Sequence, residues 1–178
     1  MAMPGRRAAR GSDSGSDLLG IYLNDHFAGS TGGIELLRRL VSGHQGTPDG
    51  AVLARLEAEV NADRDALRKI MRDLGVRERR YKLVAAWAAE KAGRLKANGY
   101  LVRRSPLSSV VELEAMMLGV GGKAALWRAL IECAGDDARL DAAELAGLSE
   151  RAERQAAELE KLRVKHAALA FGRPAVPT

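Results

Sequence analysis

Four stretches of this chain repeat apolar residues at alternating spacings of three and four, and each stretch is bounded by residues that stop a helix. That spacing lays one apolar stripe along one side of an α-helix. Over residues 18–42 the stripe is Leu23, Phe27, Ile34, Leu37 and Val41, widened by Leu19, Tyr22, Leu36 and Leu40. Over 48–74 it is Leu53, Leu56, Val60, Asp63, Leu67, Ile70 and Leu74, in which Asp63 alone is charged. Over 107–134 it is Val110, Leu113, Met117, Val120, Ala124, Trp127 and Ile131. Over 141–171 it is Leu145, Leu148, Ala152, Gln155, Leu159, Leu162, His166 and Leu169.

The breaks carry their own chemistry. In the turn over residues 43–49, Thr47 reads as an N-cap and Pro48 as the first helical residue, while Gly75 reads as a C-cap. Ser105-Pro106 opens the next long segment, Gly135-Asp136-Asp137 ends it, and Asp141 caps the last with Glu144 at the capping-box position. A shorter helix is expected over 78–97, ended by Asn98-Gly99. Residues 1–17 lack periodicity and read as a disordered leader, and 172–178 as a tail. A chain of 178 residues with two Trp, three Tyr and two Phe has the length of one domain and too few aromatics for a sandwich or barrel, so the expectation is all-α, with one bundle over 18–171.

Four helices of this length each span about 38 to 46 Å, which suits a four-helix bundle, and the shorter third helix suits a crossover. Short turns make the first and second long helices antiparallel, and likewise the third and fourth. A connection of some 30 residues between those pairs gives the ferritin-like arrangement. The string Tyr22-Leu23-Asn24-Asp25-His26-Phe27-Ala28-Gly29, with Leu118-Gly119-Val120-Gly121-Gly122-Lys123 and Leu126-Trp127, resembles a family of bacterial proteins assigned to the ferritin-like superfamily. The resemblance covers about residues 18–171 and implies a ferritin-like bundle with no established activity.

Ferritin-like oxidases hold two metals through Glu-x-x-His pairs, because i, i+3 spacing sets both ligands on one inward face. Here Glu57 leads to Val60, Glu59 to Ala62, Glu150 to Glu153 and Glu153 to Ala156, so the motif is missing. In the ferritin-like direction His26 and Asp63 fall on one side of mid-bundle with Gln155 close by, and Glu114 and His166 on the other. Asn24, His26, Asp63 and Gln155 can therefore form a buried polar layer, with Arg64 offsetting the carboxylate. The alternative is an atypical site for iron or another divalent metal on His26 and Asp63; otherwise no cofactor is expected.

The glycines at 29, 32 and 33 and at 119, 121 and 122 sit mid-helix, where each weakens the helix; close approach of the two backbones is the expected compensation, and a local opening for a small ligand the alternative. Gly119 to Lys123 lacks phosphate-loop spacing, and no nucleophile, triad or zinc pattern is visible. The net charge of +5 concentrates in residues 75–105, which hold nine basic and two acidic residues. Arg77, Arg79, Arg80, Lys82, Arg94 and Lys96 form a basic patch that a nucleic acid or acidic partner could use; a solvated helix face is the plainer alternative. Cys133 falls in an apolar run and reads as a buried, inert thiol. With one cysteine, no apolar stretch behind Arg6, Arg7 and Arg10, and no span-length apolar run, the expectation is cytoplasmic. The leading expectation is a non-enzymatic bundle with a structural or protein-interaction role, through a protein partner or self-association. The alternatives are atypical metal-dependent redox or iron handling, and nucleic-acid or acidic-partner binding by the 77–104 segment.

Overall fold

The computed structural model describes residues 15–79 and 105–172, and these form four helices. They are α1 (Gly15–Gly43), α2 (Pro48–Asp73), α3 (Pro106–Ala134) and α4 (Ala142–Phe171). The ends follow the capping chemistry. Thr47 Oγ1 accepts from Gly50 N at 3.1 Å and donates to His44 O at 2.7 Å, with Pro48 in the first turn of α2. Gly75, at φ +72°, closes α2 in a Schellman turn: its own N–H reaches Arg72 O at 2.9 Å and the Val76 N–H reaches Met71 O at 2.8 Å. Ser105 caps α3 through Leu107 N, and Asp141 caps α4 through Ala143 N and Glu144 N at 2.9 and 3.1 Å. The carboxylate of Glu144 reaches Lys69 of α2 at 3.3 Å.

Cross-helix pairs fix the directions. Gly20 faces Val76 and Arg38 meets Glu57, so α1 and α2 are antiparallel. Lys123 meets Gln155 and Arg128 meets Glu153, so α3 and α4 are antiparallel. Arg39 meets Glu112 while His26 faces Gly122, so α1 and α3 are antiparallel too. Asp49–Lys165, Arg55–Glu158 and Lys69–Glu144 run antiparallel down the α2/α4 seam. Every neighbouring pair is antiparallel, α2 and α3 run the same way on the diagonal, and the end of α2 lies at the opposite end of the bundle from the start of α3.

The core holds Leu23, Phe27, Ile34, Leu37 and Leu40 of α1 and every apolar member of the α2 stripe. From α3 come Leu113, Met116, Val120, Ala124, Leu126, Trp127 and Leu130, and from α4 Leu145, Leu148, Ala152, Leu159 and Leu162. Met116 is buried where Met117 was expected, and Leu130 where Ile131 was, a rotation of one residue on α3; Met117 and Ile131 pack at the margin. Leu169 is 68% exposed, because the last turns of α4 run past the core. Cys133 is exposed, contrary to the expectation of a buried thiol: it sits in the last turn of α3, and Leu140 of the following turn packs into the core there instead.

Among the described residues, five of the mid-helix glycines do not mark a close approach. A Cβ built at Gly29, Gly33, Gly119 or Gly121 meets nothing within 4 Å, and one at Gly122 comes only to 4.0 Å from His26 Cε1. α1 begins at Gly15, three residues ahead of Leu18, with Asp17 in its first turn where the helix dipole favours an acid. Glu78 and Arg79 are not helical, and the rest of the short helix expected over 78–97 lies outside the described residues, as do residues 1–14 and 173–178. Among the described residues no helix is long and apolar enough to cross a membrane.

Candidate functional site

The stripe of α2 carries Asp63 into the core, where 1% of it is exposed. An isolated buried carboxylate is strongly disfavoured, so its surroundings must supply donors. Three helices do so. On Oδ1 stands Arg151 of α4, through Nε at 2.7 Å and through Nη2. On Oδ2 stand the Lys123 ammonium of α3 and Gln155 Nε2 of α4, the latter at 3.2 Å. Gln155 Oε1 accepts from Lys123 Nζ at 2.5 Å, and Gln155 Nε2 also donates to Glu59 Oε2 at 3.0 Å. Two carboxylates and two cations make the cluster neutral, and burial pushes the Lys123 ammonium below its ordinary pKa, with Asp63 working against that shift.

Asp63 accepts hydrogen bonds from three nitrogens, Lys123 Nζ, Arg151 Nε and Gln155 Nε2, and Arg151 Nη2 forms an ion pair with Oδ1. Both of its oxygens are engaged from within the chain. The arrangement ties α2, α3 and α4 together through Asp63. Lys123 and Arg151 are the members that the stripe pattern did not single out. Arg64, expected beside Asp63, turns to α1 instead, where it reaches Thr31 at 3.2 Å and lies 4.6 Å over the Phe27 ring.

The four residues expected to share one polar layer are divided. Asp63 and Gln155 are bonded to each other. Asn24, equally buried, acts as a clamp: its Nδ2 donates to Gly20 O at 2.8 Å and to Arg77 O at 3.2 Å, and its Oδ1 accepts from Arg79 N at 2.7 Å. It pins the chain leaving α2 against α1. His26 packs edge-on to Tyr22, with ring centroids 4.6 Å apart, and faces Gly122. Burial lowers its pKa, against the opposing charge of Asp25. The α1/α2 register sets His26 opposite residues 69–70, about 9 Å along the axis from Asp63 at 1.5 Å per residue. The pair proposed as metal ligands is therefore not brought together, and among the described residues no group of three or more His, Cys, Asp or Glu side chains could hold a metal ion.

A second polar cluster lies at the end of the bundle where α1 turns into α2. Asp49 accepts from Lys165 at 2.8 and 2.9 Å and lies 3.2 Å from His166 Nε2. The His166 ring packs 4.8 Å from that of His44, whose Nε2 is 3.3 Å from Ser109 Oγ. Nothing in the spacing of the three histidines announces this meeting, which needs the hairpin turn and both antiparallel seams. Of the basic patch, Arg77 and Arg79 are exposed beyond α2, while Arg80, Lys82, Arg94 and Lys96 lie outside the described residues. No family model, no curated protein and no solved structure matches the chain.

Proposed function

We propose that this chain is a non-enzymatic helical bundle of ferritin-like type, from a bacterial family of that superfamily, with a structural or protein-interaction role. The observation that carries the reading is the engagement of both Asp63 oxygens by Lys123, Arg151 and Gln155. Where a ferritin-like oxidase sets carboxylates around metal between its helices, this chain presents one mid-bundle carboxylate already held by a lysine and an arginine. The helix directions support the ferritin-like part, since same-direction α2 and α3 are the mark of a bundle with one long crossover. The reading places the protein in the cytoplasm, where a lone cysteine such as Cys133 is at home.

Elemental mass spectrometry on the full chain, before and after anaerobic Fe(II) addition and desalting, tests it, with Asp63→Ala and His26→Ala alongside. The expected result is no stoichiometric metal in any sample. Stoichiometric metal that disappears in both variants overturns the reading in favour of atypical redox or iron handling. Tight binding of duplex DNA that falls steeply with salt would move the function to the 77–104 segment instead.

A further inference from the structure

The outer face of α3 carries Leu118, the most exposed large hydrophobic side chain among the described residues. α1, α2 and α4 each turn a polar side to solvent, whereas α3 has almost no amphipathic bias and is the most hydrophobic of the four. Its solvent side runs Glu114, Leu118, Gly121, Ala125 and Arg128, an unbroken spacing of four and three that puts all five on one stripe. All are exposed, and Leu118 is 76% exposed. The middle of this stripe is small and apolar and its two ends carry opposite charges, the pattern of a surface that meets a partner.

We propose that this face docks on a second copy of the chain, α3 antiparallel to α3 about a twofold axis through Gly121. The proposal rests on the protein-interaction reading above and names its partner. The stripe is complementary to itself in that orientation alone. At Gly121 a Cβ would meet nothing within 4 Å among the described residues, so the glycine is free to let a second backbone come close. Leu118, one turn away, falls beside the small Ala125 of the second copy. Glu114 and Arg128 stand seven residues, two turns, to either side of Gly121. Antiparallel docking sets each Glu114 against the opposite Arg128, twice per dimer, whereas parallel docking sets like charge on like. Among the described residues Arg128 contacts the exposed Glu153 at 3.7 Å, loose enough to exchange, and Arg163, near Glu114, is already bonded to Glu160.

Sedimentation velocity on the full chain across a range of concentrations tests this, with Glu114→Arg, Arg128→Glu, the double swap and Gly121→Leu. The expected result is a dimer whose dissociation constant rises about tenfold in each single swap and returns in the double swap. Gly121→Leu should be monomeric while its helical circular dichroism and melting are kept, because the new side chain points into open space. A wild-type chain that is monomeric throughout, or a dimer indifferent to all four variants, overturns the proposal. Neither result bears on metal retention, so failure here is separable from failure of the bundle reading itself.

Discussion

The ammonium of Lys123 on α3 donates to Asp63 Oδ2 on α2, across the diagonal of the bundle. These two helices share no backbone seam among the described residues, so the contact exists by the reach of the lysine stem through the core. The same nitrogen meets Gln155 of α4, and Arg151 closes the other oxygen of Asp63. A single carboxylate is thus the meeting point of three helices, and its worth depends on whether its partners are left behind when it goes.

Asp63→Ala strands two cations, Lys123 with 16% of its side chain exposed and Arg151 with 32%. Removing one member of a buried ion pair typically costs about 3 to 5 kcal/mol, and partial exposure of both cations puts the expected loss near the lower figure. Asp63→Leu should lose about as much, because the partners it abandons are well placed rather than poor. Replacing Asp63, Lys123, Arg151 and Gln155 together by leucine should recover most of the loss. Urea unfolding of wild type and the three variants decides it, and an Asp63→Ala midpoint within experimental error of wild type would contradict the network's role.

Lys123 gives the network a pH signature. Its pKa is lowered in the folded chain, chiefly by burial, and in the unfolded chain returns to about 10.5. Between the lowered value and 10.5 the unfolded state therefore binds more protons, so stability should rise with pH across that window. Lys123→Met removes this contribution. Plotted from pH 8 upward, the stability of wild type minus that of Lys123→Met should climb; a flat difference would mean that burial does not penalise the ammonium.

What the sequence made legible was whatever local spacing determines. The helix ends at Pro48, Gly75, Ser105 and Asp141 follow from their capping residues, and the burial of Asp63 and Gln155 from the period of the helix. Lys123 and Arg151 were not legible, because neither occupies a stripe position and each enters the core by its length. A signal did exist: each directly precedes an alanine on its stripe, Ala124 and Ala152, and so small a residue leaves room for a long neighbour. Asn24 read as a core layer residue, yet its partners are the backbone of Gly20, Arg77 and Arg79, and only the fold brings residues 77–79 beside α1. The glycines misled for a related reason: their spacing says that a side chain is missing but not on which side of the helix the space lies.

Two glycines should respond oppositely to alanine. At Gly50, buried in the first turn of α2, a Cβ would stand 2.2 Å from the carbonyl oxygen of His44, and the backbone there cannot yield as a flexible side chain would. Gly50→Ala should cost about 1 to 3 kcal/mol as overpacking. At Gly29, exposed with open space around the missing Cβ, alanine should add about 0.8 to 1 kcal/mol from helix propensity. Thermal melts of the two variants give the sign directly. Destabilisation by Gly29→Ala would point to a close neighbour on that face of α1.

Asp49 links the first turn of α2 to the last turns of α4, accepting from Lys165 at 2.8 and 2.9 Å and lying 3.2 Å from His166. The Lys165 hydrogen bond is the main reason that its carboxyl titrates below the ordinary 3.8, with His166 adding to the effect. A carboxyl lowered on folding contributes stability that is fully present above 3.8 and disappears as the pH falls through the lowered value, because below it both states are protonated. Asp49→Asn keeps the shape and removes the charge. At pH 6 it should be less stable than wild type by about 1 kcal/mol, an amount set by the solvent around Lys165. The gap should close as the pH is taken from about 4 downward. Denaturant unfolding of the two proteins at pH 6, 4 and 3 measures it: a gap that persists unchanged to pH 3 would show that shape at the α2 terminus, rather than the charge on Asp49, holds the end of α4 in place.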